Sequence, residues 1–442
     1  MALTLNNASP IASHVFSQLL GLPFLSRLVM DGARWNPVTS GNGMEYQLLG
    51  PPKLSFLQLN SGRKFRSAHL HWFLPFTSSL THLDLRGNPK LDDVGVSTDV
   101  SCFTELKYLR LTRCFALTDV SLGSGLATKL TKMESLDISD TKASDHTIAL
   151  WLHNCPGLVT LIFARSCATN ACLPIIGRMG LQHLRHLSME GHPRITDSFV
   201  DYLSSLSNLT TLNFGGCSGL SGQSVISTIS LMTSLRNLSL NRFLMDDYEF
   251  TYISRLTNLE TLSASNCSNL DGTGLERVST QLFHLRSLNL SACDLISDQL
   301  SHLTPLSRTL QELNLAGCGL NDDCMPYLGE LTKLSSLDIS RSHISNIGIT
   351  YLQTLTRLQA LSISHLSHLT DSGLLSITKL TTLTQLDASW NYEISEASLS
   401  SIIKMGLLKR IDVSYCPSVS TPFLDHLVFH SGLDMYFPLT ET

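Results

Sequence analysis

Charge is scarce in this chain: Asp, Glu, Lys and Arg make up 15% of its 442 residues, against roughly 25% in an average globular protein. The net charge of -5 creates no global field that would draw the chain to nucleic acid or a membrane, so an electrostatic partner must be read by a local patch. Long apolar runs are missing as well. No stretch approaches the ~18 apolar residues of a membrane helix, and the opening apolar stretch from Ile11 to Leu28 is interrupted by Ser13, His14, Ser17 and Gln18, unlike an export signal. Reactive constellations are absent too: there is no Walker loop, H-E-x-x-H, G-x-S-x-G or C-x-x-C. Cys167 with Cys172, and Cys318 with Cys324, lack a second half at metal-finger spacing, and His365 with His368 lacks a clear third ligand. Neither catalysis nor a cofactor or metal is therefore expected.

What the chain has instead is one phrase, L-x-x-L-x-L followed by a small or polar residue, repeated fifteen times at intervals of 24 to 27 residues. Its anchors are Leu54, Leu80, Leu106, Met133, Leu158, Leu184, Leu209, Leu235, Leu259, Leu285, Leu310, Leu334, Leu358, Leu383 and Leu408. A fixed period of this size marks a solenoid, and an unbroken register overrides the several domains that length alone suggests. The expected organisation is a cap or degenerate first repeat over 1–53, a repeat domain over 54–430 and a tail over 431–442.

The stretch Leu106 to Leu122 shows the physics of one unit. Leu109 and Leu111 alternate with Tyr108, Arg110 and Thr112, which places leucines on one face of a short strand. Cys114 follows where the chain turns away. Cys217, Cys267, Cys293, Cys318 and Cys416 occupy the same position, so these cysteines read as turn packing in a reducing compartment, not as a disulfide framework. Phrases such as Leu117-Thr118-Asp119 and Ile195-Thr196-Asp197 then supply a hydroxyl and a carboxylate suited to a helix N-terminus. Apolar residues next recur at helical spacing, as in Ile148 and Leu152. One unit cannot bury its leucines alone. Stacked units form a parallel inner sheet backed by outer helices, an α/β solenoid of about 15–16 repeats. Strands at ~4.8 Å and helices at ~9 Å bend such a stack by roughly 20° per repeat, toward a horseshoe.

The phrase L-x-x-L-x-L-x-x-C, followed by I-T/S-D and an amphipathic helix, resembles the cysteine-containing class of leucine-rich repeats over about four-fifths of the chain. That resemblance implies a recognition surface of the kind carried by F-box subunits of cullin-RING ubiquitin ligases, where an F-box docks the ligase adaptor. An F-box is expected only in the fifty or so residues before the first clear repeat, where residues 11–35 are the F-box-like segment. Val15-Phe16, Leu25 and Trp35 match its pattern, whereas Phe24 replaces an Asp, Asp31-Gly32 stands near the usual Val-Cys, and no Leu-Pro-x-Glu opening is present. The same stretch also reads as an early repeat, with Leu25, Leu28, Met30 and Ala33 in register. Leucine-rich-repeat regulators of a GTPase or nuclease resemble a longer repeat of 28 to 29 residues, against the 24 to 27 found here.

Residues between and just after the strand leucines face the concave surface, where a protein partner would bind. Its middle, Gly215 to Gly317, is mostly Ser, Asn, Gly and Thr. Its opening carries His82, Arg86, Lys107, Tyr108, Arg110 and Arg113, bordered by Asp137 and Asp140. Arginine forks suit an acidic or phosphorylated segment, or else the two aspartates neutralise them as a solvated network. Its end carries Asp387, Trp390, Asp412 and Tyr415, with Asp338 and His365 earlier. Trp and Tyr are favoured binding anchors, although Trp390 packing on Tyr415 as part of a C-terminal cap is an equal reading. The expected function is a non-catalytic scaffold in the cytoplasm, or in the nucleus, that binds a protein partner on this face and feeds a ubiquitin ligase as its relatives do. The alternatives are a true F-box-type receptor that docks the adaptor through residues 11–35, a regulator of an enzyme such as a GTPase or nuclease, and an enzyme with an unrecognised site.

Overall fold

The computed structural model describes residues 1–7, 18–35, 53–62, 64–178, 181–203, 205–420, 422–423 and 434–436. Residues 11–17 of the F-box-like segment, and the expected tail apart from 434–436, lie outside them. The chain divides into two units, Met1–Gly219 and Leu220–Thr442.

Within the first unit, three-residue strands follow one another in sequence order, each parallel to the next: Ala2–Thr4, Arg27–Val29, Phe56–Gln58, His82–Asp84, Tyr108–Arg110, Ser135–Asp137, Thr160–Ile162, His186–Ser188 and Thr211–Asn213. The second unit repeats the pattern through Asn237–Ser239, Thr261–Ser263, Ser287–Asn289, Glu312–Asn314, Ser336–Asp338, Ala360–Ser362, Gln385–Asp387, Arg410–Asp412 and Asp434–Tyr436. Equivalent leucines pair in register, as in Leu83 with Leu109 and Leu288 with Leu313. Each is buried, while its strand neighbours face outward. Leu25, Leu28, Met30 and Ala33 are buried in the same way, and Arg27–Val29 pairs with Phe56–Gln58 as any repeat strand does.

Helical segments return each strand to the next, but they are more varied than the sequence pattern implies. Asp145–Asn154 is a ten-residue α-helix, whereas Ser67–Phe76 and Ser297–Arg308 are 3₁₀ and contain Pro75 and Pro305. Proline removes a backbone donor and crowds the carbonyl of the preceding turn, which breaks a regular α-helical ladder. Among the described residues no helix is long and apolar enough to cross a membrane.

The hydroxyl-carboxylate phrase divides its two tasks in a way the sequence did not reveal. Ser144 caps its own helix, its Oγ accepting from the His146 N–H at 3.2 Å. The carboxylate one residue later in the phrase reaches instead to the next repeat. Asp119 accepts from the Ser144 N–H at 2.7 Å, the Ser144 hydroxyl at 2.5 Å and the Thr147 hydroxyl at 2.6 Å. Asp93 does the same for Thr118 and Ser121, Asp145 for Thr169, Asp322 for Ser345 and Asp371 for Ser395. Burial by itself would raise the Asp119 carboxyl, but the hydroxyl and amide bonds from Ser144 and Thr147 outweigh it and hold the group below the usual carboxylate range.

The cysteine position is likewise an inter-repeat fastener. The thiols of Cys114, Cys217, Cys267, Cys293, Cys318 and Cys416 each donate to a strand-end carbonyl of the preceding repeat at 3.1–3.4 Å. Asn88 and Asn391 make the same link with a side-chain amide, to Leu59 O at 2.6 Å and Ile363 O at 2.9 Å. Burial pushes the Cys114 thiol up to about 12, which leaves it protonated and unreactive at neutral pH. His192 fills this position too. Its Nδ1 lies 2.9 Å from Met189 O and its Nε2 accepts from the Ser166 N–H at 3.2 Å, which assigns the neutral Nδ1–H tautomer.

Candidate functional site

One backbone feature positions every candidate side chain at the strand ends. Seven residues after each anchor leucine the chain turns through the left-handed region, with φ between 50° and 74° from Ser61 and Gly87 to Trp390 and Tyr415. Glycine occupies that corner at Gly87, Gly191, Gly216 and Gly317 without steric penalty. Arg113, Arg165, Arg242, Arg341, His365, Trp390 and Tyr415 occupy it with large side chains, each opposed by roughly 1 kcal/mol or more of Cβ crowding. The ladder enforces the conformation: the Trp390 N–H donates to Ser414 O at 2.8 Å and the His365 N–H to Ser389 O at 2.9 Å.

A second feature accounts for the strand-face aspartates. Asp338, Asp387 and Asp412 each accept the backbone N–H two residues on, at 3.0, 3.0 and 2.9 Å. Asn213, Asn289 and Asn314 close the same turn. One oxygen of Asp387 and of Asp412 is thus committed to an Asx turn, and the second oxygen of Asp387 accepts from the Ser362 hydroxyl on the neighbouring strand at 3.1 Å.

In the first unit, His82 and Tyr108 stack on adjacent strands, with ring centroids 4.1 Å apart and planes at 10°. The stack continues beyond the sequence-derived set to Phe56, 5.6 Å from His82, and to Arg27, whose guanidinium lies 3.5 Å over the Phe56 ring. Burial, and then the charge of Arg27, hold the His82 imidazole below its ordinary value. The expected cationic cluster is largely compensated. Arg86 pairs with Asp84 at 2.9 Å and Lys107 with Glu134 at 2.7 Å, while Tyr108 Oη also donates to Glu134 at 3.2 Å. The partners differ from those the sequence suggested: Asp140 is taken by Arg165 at 2.8 Å and Asp137 by the Thr112 hydroxyl at 2.8 Å. Arg110 and Arg113 are exposed and form no salt bridge among the described residues. This end is therefore a stacked rib edged by the exposed Arg110 and Arg113, the charge of Arg113 still acting on the Asp140 carboxylate.

In the second unit, His365, Trp390 and Tyr415 follow one another at the left-handed corner of three successive repeats. Trp390 and Tyr415 stack at 4.0 Å with planes at 20°, and His365 lies 6.2 Å from Trp390 with planes at 17°. Stacking does not hide them, since Trp390 keeps 39% and Tyr415 52% of its surface exposed. On the strand face beside them, Glu312, Asp338, Asp387 and Asp412 line an acidic trough of about 510 Å³ that also includes Arg410. At the corner itself a cavity of about 650 Å³ is bordered by Arg341, His343, His365 and Trp390. Arg341 and His343 were missed by sequence reasoning, although Arg341 stands at the same repeat position as His365, Trp390 and Tyr415. Aligning the repeats on that position alone would have found it. The arrangement offers stacking faces, one guanidinium and an acidic strip, which suits recognition. Among the described residues no group of three or more His, Cys, Asp or Glu could hold a metal ion.

A family profile described as "Leucine Rich repeat" matches residues 78–98, 281–299 and 306–323. No curated protein matches the sequence. Among solved structures, an internalin from Listeria monocytogenes is similar over 76% of this chain and 87% of its own, at 21% identity and a TM-score of 0.52. A leucine-rich-repeat protein of Leptospira interrogans matches 83% of this chain and 92% of its own at 18% identity and a TM-score of 0.47. The yeast Rad7 and Elc1 complex matches 84% of this chain and 83% of its own at 15% identity and a TM-score of 0.44. The fold is an α/β leucine-rich-repeat solenoid.

Proposed function

We propose that this protein is a non-catalytic scaffold that captures a protein partner through the outward-facing residues of its sheet, with the principal anchor at His365, Trp390 and Tyr415. One observation carries the reading: three successive repeats place large rings at a left-handed corner where glycine would be free of strain, and leave Trp390 and Tyr415 half exposed. Rings held against strain and still in contact with water contribute little to folding, whereas preformed aromatic surface adds much to binding. Asp387 and Asp412 add an acidic rim. The rib formed by His82 and Tyr108, with Arg110 and Arg113 at its edge and the compensated Arg86 and Lys107 beside it, forms a secondary contact for acidic groups.

The deciding experiment compares proximity labelling by the full chain and by its Trp390→Ala variant. Loss of a binding anchor removes about 2 kcal/mol or more, roughly thirtyfold in affinity, so the labelled set should collapse while the melting temperature stays nearly constant. An unchanged set, or an equal collapse of Tm, assigns Trp390 to the C-terminal cap.

Substrate recognition for a ubiquitin ligase is the second reading, resting on the F-box likeness of residues 11–35. The strand Arg27–Val29, in register with the repeats, supports the capping role for the described part of that segment. Failure of the full chain to bind the ligase adaptor would remove the receptor reading and leave the scaffold intact. Buried thiols hydrogen-bonded to carbonyls support a reducing, cytoplasmic or nuclear setting.

A further inference from the structure

The corner cavity of the second unit differs in charge from the trough next to it. No carboxylate lines it; Arg341, His343, His365 and Trp390 do, together with the hydroxyls of Ser364 and Ser389. Elsewhere on the sheet Arg86, Arg165 and Arg236 are matched by Asp84, Asp140 and Glu260. Arg341 has no such acid among the described residues, and it is held at φ 55°. Ser389 Oγ donates its single proton to Asp387 at 2.7 Å, and the Ser364 hydroxyl lies 3.0 Å from Ser389 Oγ at the cavity wall. A planar guanidinium and two imidazoles around a space of about 650 Å³ form a receptor for a compact anion with several oxygens.

We infer that this cavity binds a phosphate monoester carried by an otherwise basic segment of the protein partner, an inference that rests on the scaffold reading above. The flanking residues of that segment are specified by the trough. Asp387 lies three positions before Trp390, and Glu312, Asp338 and Asp412 extend the acidic strip along the sheet. Lysine or arginine beside the phosphorylated residue would meet these carboxylates as the phosphate meets Arg341. A nucleic acid backbone fits poorly, because its successive phosphates would cross the same strip, and binding to it needs several cations rather than one. Trp390 adds an apolar wall, still 39% exposed, beside the phosphate.

The test uses the full chain and six probes: acetyl-Lys-Lys-phosphoserine-Leu-amide, its unphosphorylated twin, the same phosphopeptide with Glu-Glu in place of Lys-Lys, phenyl phosphate, N-acetyl phosphoserine and oligothymidylate. Calorimetric titration should show the basic phosphopeptide binding about tenfold or more tighter than its twin, the effect of one charge-assisted hydrogen bond, and tighter than the acidic-flanked form. Tighter binding of phenyl phosphate than of N-acetyl phosphoserine would assign the source to phosphotyrosine, and the reverse to phosphoserine. Arg341→Gln should erase the preference for phosphate; Arg341→Gly, which relieves the strained corner, should erase it in a chain at least as stable. The inference is overturned if phosphate gives no preference, if the preference survives both variants, or if oligothymidylate displaces the phosphopeptide at lower concentration than phenyl phosphate does. Partner capture that depends on Trp390 yet is indifferent to phosphatase treatment of the partner would remove this inference alone and leave the scaffold reading standing.

Discussion

Asp119→Ala tests whether the carboxylate of the repeat phrase fastens one repeat to the next. Its carboxylate accepts three hydrogen bonds from Ser144 and Thr147 at 2.5–2.7 Å. Hydrogen bonds to a charged group contribute roughly 1.5–3 kcal/mol each, non-additively, and both hydroxyls can turn toward other acceptors. The Ser144 N–H cannot. A net loss of about 2–4 kcal/mol follows, against less than about 0.5 kcal/mol for an ordinary surface change. Asp119→Asn should cost only about 1 kcal/mol, because Asn346 already fills the equivalent place: its Oδ1 accepts from the Thr370 and Gly373 N–H groups at 3.0 and 3.1 Å, and its Nδ2 donates to the Thr370 hydroxyl at 2.9 Å. Native-state hydrogen exchange is the suitable assay, since repeats open locally and one global transition is not assured. The Asp119 carboxyl titrates below its unfolded value, so its contribution is complete above pH ~4 and is lost as pH falls through the lower folded value. Exchange in the helix that follows Ser144 should therefore accelerate on acidification in the natural chain more than in Asp119→Asn. Equal effects of Ala and Asn, or protection unchanged in Asp119→Ala, would refute the fastening role.

Three further outcomes are expected. Burial holds the His192 imidazole below its ordinary value, with the Met189 carbonyl acting in the opposite sense; stability should therefore be full above pH ~6.5 and decline below it, and His192→Asn, which reproduces the Asn88 arrangement, should flatten Tm between pH 7.5 and 5.5. Leu288→Ala, at a side chain 1% exposed, should lower unfolding free energy by about 2–5 kcal/mol in chemical denaturation, through lost burial and a residual cavity. Ala292→Gly, at φ 53°, should raise the denaturation midpoint by an amount equivalent to roughly 0.5–1 kcal/mol, since relief of Cβ crowding exceeds the added unfolded-state entropy.

Much of the fold was legible because the leucine, cysteine and hydroxyl positions each answer a requirement met within a residue or two: strand alternation, a turn, a helix start. Long-range partners were less so. Asp119 reads locally as a helix-start residue, and only stacking brings Ser144 and Thr147 to it from the next repeat. Asp140 reads as a neighbour of Arg113, yet Arg165 claims it from the other side. Trp390 and Tyr415 were found as unusual residues on the expected surface, whereas Arg27, Phe56 and Arg341 were passed over because each is ordinary within its own repeat.

By itself, then, the sequence determined the period, the strand leucines and the turn positions, because a structure that repeats must satisfy the same local constraints each time. Only the tertiary structure decided which side chains share a surface. Residues 24 or 25 apart in the chain, such as Arg341, His365, Trp390 and Tyr415, become neighbours when parallel strands about 4.8 Å apart align their ends. The left-handed corner then turns those four outward together, beside a strip of carboxylates whose charge is opposite to that of Arg341.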